Sequence, residues 1–231
     1  SEKTAKFVQP FLEQSGLFKE VHCIDFYKFT SFVSQIENHV CLDDFRKKKL
    51  NFFSGDSRAW VYSLSNHHFK KDFSEDIFAS KFEGDTRAKD YVLVTNTQRV
   101  NNAYVSISMC VCEHKDEIAF IGLDDEYEKF CHLIDKKTPR FDIKDCSDAA
   151  RLMKGSKGVI GNQGGLFSLA EMLKVPRVLL APEFIQVGNT IMGGPCNVHP
   201  QGGDCDIIQT AEQSLHLADF LFEGKRKQCL S

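Results

Sequence analysis

The four residues from Asn162 to Gly165, Asn-Gln-Gly-Gly, are the strongest candidates for a ligand site in this sequence. Gly164 and Gly165 lack Cβ atoms, so a ligand can approach their backbone closely. If a helix begins here, the N–H groups of its first turn have no partners within the helix and can bind a phosphate. Gln163 can bind a sugar hydroxyl, and the Ser168 hydroxyl lies within the same turn. The spacing fits equally well a tight turn that needs glycine only for its geometry, since neither a P-loop nor a Gly-x-Gly-x-x-Gly fingerprint is present.

Two other loops carry candidate ligand-binding residues, because ligands of open α/β sheets bind beyond the carboxyl ends of the strands. Thr95, Thr97 and Arg99 lie at the end of one predicted strand and just beyond it. Arg99 is either a bidentate clamp for a diphosphate or an ordinary surface arginine. Gly122 ends a second predicted strand, and Glu126 follows it. The Glu126 carboxylate either accepts a hydrogen bond from a nucleoside hydroxyl or serves as an acid at the start of a helix, and the second role is favoured.

A regular alternation of strands and helices after Lys89 positions these loops. Apolar runs predict strands at 91–95, 117–122, 140–143, 158–161 and 175–180. Helices are predicted around 105–111 and at 124–134, 145–154 and 166–173. This alternation predicts an α/β fold with an open parallel Rossmann-like sheet, flanking helices and right-handed crossovers. Residues 182–206, rich in glycine and proline, predict a long loop, and 207–222 predict a closing helix.

The first part of the chain lacks this regularity. Residues 4–14 predict a helix, 20–25 a strand and 26–36 a second helix. The pattern therefore divides the chain into a reduced or truncated N-terminal α/β region, residues 1–85, and a Rossmann-like domain, residues 86–231. No nucleophile–base pair is recognisable in either part, and Gly-x-Ser-x-Gly is missing.

Composition excludes several classes of partner. The net charge of −3 and the isoelectric point near 6.2 give no reason to expect nucleic acid. No apolar run approaches the roughly 18 residues of a membrane span. The nine cysteines form no Cys-x-x-Cys pair, so no zinc site is expected. Their odd number, in a sequence without a recognisable signal peptide, predicts reduced thiols in a cytoplasmic protein. No metal or other cofactor is expected, and the oligomeric state is left open.

Three segments in order carry a family resemblance: EIAFIGLDDEYE at 117–128, SDAARLMKGSK at 147–157 and GVIGNQGGLFSLAEMLKVPRVLL at 158–180. Together they resemble the C-terminal Rossmann-like domain of GT-B glycosyltransferases and are most similar to the ADP-heptose:lipopolysaccharide heptosyltransferase family. In that family a strand ending in Gly-Asn or Ser-Asn is followed by Asp-Ser/Thr-Gly and a helix that carries a histidine. The acid matches Gln163 here, the Ser/Thr matches Gly164, the glycine is retained as Gly165, and the histidine matches Ser168.

The resemblance implies a glycosyltransferase-like protein that binds a nucleotide-diphosphate sugar and transfers a hexosyl or heptosyl group to a glycan or other acceptor. GT-B enzymes have two Rossmann-like domains of about 150 residues each, whereas only 85 residues precede the second domain here. Together with the changed residues Gln163 and Ser168, this leaves an alternative, a non-catalytic binding or assembly module. A small-molecule epimerase or hydrolase on a similar fold is a third possibility. The catalytic residues are not determined by the sequence.

Overall fold

A five-stranded parallel sheet forms the centre of the part of the chain that the structure describes. The computed structural model describes residues 2–22, 35, 81–97, 106–180, 185–187, 190–192, 204–208 and 219–223. In chain order the strands are β1 (Val92–Thr95), β2 (Ile118–Phe120), β3 (Gly158–Asn162), β4 (Arg177–Leu180), β5 (Ile185–Val187), β6 (Thr190–Met192) and β7 (Cys205–Ile208). The sheet has the order β2-β1-β3-β4-β7, and every neighbouring pair is parallel. The strands β5 and β6 form a separate antiparallel pair.

Helices cover both faces of the sheet. They are α1 (Glu2–Ser15), α2 (Ile107–Val111), α3 (Asp124–Ile134), α4 (Cys146–Gly155), α5 (Gly165–Leu173) and α6 (Asp219–Glu223), with a 3-10 turn at Thr86–Ala88. Apolar side chains of α2, α3 and α6 pack on one face of the sheet, and those of α1, α4 and α5 pack on the other. This double cover explains why β1 to β4 are buried along their whole length and why their sequences are largely apolar rather than alternating.

The sequence pattern located most of these helices correctly. The helix α3 has the predicted bounds, and α4 begins after Asp145, whose carboxylate accepts a hydrogen bond from the Asp148 N–H at 2.9 Å. The helix α5 ends at Lys174, which takes a left-handed conformation. The α/β class and the parallel sheet are thus confirmed, and the arrangement is consistent with a Rossmann-like fold.

Three predicted elements were wrong. Residues 140–143 form only one parallel bridge, between Phe120 and Arg140, instead of a strand. The predicted loop 182–206 contains β5, β6 and the start of β7. The predicted helix 207–222 begins with the last two residues of β7, and the described helical part is α6 alone. Short strands among glycine and proline residues show little periodicity, and β7 is defined by pairing with β4, which local sequence does not reveal.

The N-terminal segment packs against the helices of the main sheet. The rings of Phe11 and Phe82 stack with centroids 5.0 Å apart, and both belong to the apolar cluster that contains α4 and α5. Arg151 of α4 donates a hydrogen bond to the Gln14 side chain at 2.8 Å. Residues 20–22, the described part of the predicted strand 20–25, do not form a strand. Residues 23–25, and all of the predicted helix 26–36 except position 35, lie outside the described residues. The division at residue 85 stays a prediction.

Among the described residues, no helix is both long enough and apolar enough to cross a membrane. The described cysteines are free thiols. Cys110 of α2 is buried, and burial raises the pKa of its thiol to about 12, so this group belongs to the core and stays protonated at neutral pH. Burial likewise raises the pKa of Cys146 to about 11, with a smaller contribution from the carboxylate of Asp145.

Candidate functional site

The sheet order creates a crevice between the carboxyl ends of β1 and β3. The chain leaves β1 for β2 on one side and later returns to β3 on the other side of β1. The connections that follow β1 and β3 therefore run to opposite faces of the sheet, and such a switch point is where ligands bind in open α/β folds. Thr95 and Thr97 come from the end of β1, and Asn162 to Gly165 come from the end of β3. The structure thus brings two of the three predicted loops together.

The Asn162 side chain joins the two loops. Its Oδ1 accepts a hydrogen bond from the Thr97 N–H at 2.8 Å, and its Nδ2 donates to the Thr97 carbonyl at 2.6 Å and to Asn96 Oδ1 at 3.1 Å. Asn162 and Asn96 are both buried. Because the amide is used on both its donor and its acceptor side, Asn162 fixes the shape of the crevice instead of contacting a ligand directly. Sequence alone gave Asn162 a place in the site but not this partner.

Glycines bring the two loops into close contact. A Cβ atom on Gly161 would lie 2.5 Å from Thr95 Cγ2 and 2.9 Å from the Thr95 carbonyl oxygen, which leaves no room for a side chain. On Gly164 it would lie 3.2 Å from Thr97 Cγ2, a tight contact. On Gly165 it would meet nothing within 4 Å. The first two glycines are therefore needed for packing, whereas the third faces open space at the start of α5.

The helix α5 begins at this crevice without a side-chain cap. Its N-cap residue is Gly164, in an extended conformation, and no side chain of the described residues caps the N–H groups of the first turn. Gln163 is half-buried beside it. The Ser168 hydroxyl donates to the Gly164 carbonyl at 3.1 Å, within the helix, so it offers a ligand only its lone pairs. Within the described part of the chain, a ligand would meet a helix N-terminus without a side-chain cap and the positive end of the helix dipole.

The third predicted loop lies one strand farther along the same edge. The strand β2 neighbours β1 and not β3. Gly122 has φ +152°, and a Cβ there would lie 2.9 Å from the Phe120 ring. Glu126 Oε2 accepts a hydrogen bond from the Leu123 N–H at 3.2 Å, which is the helix-start role that sequence analysis favoured. The Gly122–Glu126 loop therefore borders the crevice and does not line its centre.

Sequence analysis missed Arg140 at this edge. Its Nη2 lies 2.5 Å from Asp124 Oδ1 and donates to the Gly122 carbonyl at 3.3 Å, and its guanidinium lies 5.4 Å from the centre of the Tyr127 ring. The Asp124 side chain is 87% exposed, so the ion pair contributes little to stability. The sequence placed Arg140 in a predicted strand and gave no reason to assign it to a site. The bridge to Phe120 brings it beside β2.

One predicted site residue lies beyond this description. Arg99 lies outside the described residues, so its role as a diphosphate clamp stays a prediction. Within the described part of the chain, no group of three or more His, Cys, Asp or Glu side chains could hold a metal ion. A buried ion-pair cluster of Glu171, Lys174 and Arg177 lies where α5 leads into the first residue of β4, at the amino end of the strand and thus away from the crevice.

Comparison with known proteins supplies no relative for this chain. No protein-family model, curated protein or solved structure matches it.

Proposed function

We propose that this protein is glycosyltransferase-like and binds the diphosphate of a nucleotide sugar at the N-terminus of α5. The observation that carries the proposal is the uncapped helix N-terminus, which lies at the sheet's switch point and has open space in front of Gly165. Helix N-termini bind phosphates because their N–H groups lack partners and because the helix dipole favours negative charge. The family resemblance of residues 117–128 and 147–180 supports a nucleotide sugar as the ligand.

Transfer of the sugar to a glycan or other acceptor would leave a nucleoside diphosphate behind. Negative charge grows on the diphosphate as the glycosidic bond breaks, and fixed N–H donors stabilise such charge without reorganisation. The Asn162 amide links the Asn96–Thr97 loop to the end of β3, and a crevice that is already held in this way would need little rearrangement to bind a ligand. The Gln163 amide, half-buried beside the crevice, would hydrogen-bond sugar hydroxyls.

Gly165→Asp provides a sharp test by calorimetric titration with ADP, UDP and their sugar conjugates. A side chain fits at this position, and an acidic residue in the first turn of a helix stabilises it, so the variant will fold. The same carboxylate repels a diphosphate, so we expect affinity to fall at least about tenfold while the melting temperature does not drop. Gly165→Asn, of nearly the same size and neutral, is the matched control and should lose much less affinity.

Absence of binding by the wild-type protein to all of these nucleotides would overturn the proposal. Equal affinities for the wild type, Gly165→Asp and Gly165→Asn would show that the diphosphate lies elsewhere.

A non-catalytic binding module is the second candidate, and one observation favours it. At the position that matches the family's histidine, the Ser168 hydroxyl donates to the Gly164 carbonyl of its own helix. The residue therefore serves the helix and is not free to donate to a substrate. Measurement of sugar release from the nucleotide sugar that binds, with and without candidate acceptors, separates the two functions. Binding without release would favour the module, and release would favour the transferase.

A further inference from the structure

We draw no further inference here: the strongest candidate, the cleft of about 400 Å³ at the amino ends of β3, β4 and β7 that is lined by Lys157, Asp204 and α6, carries none, because nothing in the structure shows what covers it.

Discussion

Removal of the Asn162 side chain should destabilise the protein by about 3 kcal/mol. Asn162→Ala deletes the hydrogen bonds of 2.8, 2.6 and 3.1 Å that link the ends of β1 and β3. Each such bond contributes a net free energy of about 1 kcal/mol. A further penalty arises because the amide oxygen of Asn96, a residue that is 8% exposed, is left without this donor. Water can reach half-exposed Thr97, which limits the penalty, so the sum of about 3 kcal/mol stands as the expected value.

Urea unfolding followed by circular dichroism measures this change directly. For a chain of this size the expected shift in melting temperature is about 6–12 °C.

Asn162→Asp keeps the oxygen that faces the Thr97 N–H but replaces the donor with a second oxygen, which then faces two acceptors. That contact raises the pKa of the introduced carboxyl in the folded state, so the variant's deficit should shrink as the pH falls, because the protonated carboxyl can donate. Gln163→Ala is the control, since the Gln163 side chain forms no hydrogen bond within the described residues, and its effect should stay within about 0.5 kcal/mol. A loss below about 1 kcal/mol for Asn162→Ala would refute the idea that this amide holds the crevice together.

Two further predictions concern packing and charge. Gly155→Ala should lower the free energy of unfolding by about 2 kcal/mol or more, although alanine normally favours a helix, because its Cβ would lie 2.0 Å from the Asp85 carbonyl oxygen; an unchanged urea midpoint would contradict this. The Lys157 ammonium, and to a lesser extent His114, lowers the pKa of Glu117. The stabilisation by Glu117 is therefore present at neutral pH and is lost as the pH falls below the ordinary carboxyl range, about 4.3. Glu117→Gln should cost less than about 1 kcal/mol at pH 7, since the side chain is 41% exposed, and the difference from wild type should vanish in acid; a constant difference across pH would contradict the ion pair.

The crevice takes its residues from separate parts of the chain. The Gly164–Gly165 turn lies at the end of β3, and Thr97 lies just beyond β1. Arg140 donates to the Gly122 carbonyl and so holds the loop after β2 that borders the crevice. The three segments come from distant parts of the sequence and meet only because β2, β1 and β3 are neighbours in the sheet.

Local sequence determined those elements whose stabilising residues lie within the element or directly beside it. The helix α3 has acidic residues in its first turn and an apolar side that includes Phe130 and Ile134, so its bounds follow from periodicity. The helix α4 carries its own N-cap in Asp145. The strands before the Gly164–Gly165 turn and after α5 are largely apolar, which indicated a buried parallel sheet. The adjacent glycines at 164 and 165 are as consistent with a tight strand-to-helix turn as with a ligand loop, because a residue without a Cβ atom suits both.

Only the tertiary structure decided which loops meet. The strand order places β3 beside β1, and this alone brings Asn162 to Asn96 and Thr97, more than sixty residues earlier in the chain. The edge strand β7 was not predicted for the same reason, since it is defined by a partner that is remote in sequence. At 140–143 the sequence predicted a whole strand, whereas the sheet pairs only Arg140 with Phe120. A turn residue and a helix cap depend on contacts within a few positions, which a sequence displays directly. A crevice depends on which strands pair, and pairing is decided by the packing of the whole sheet and its helices.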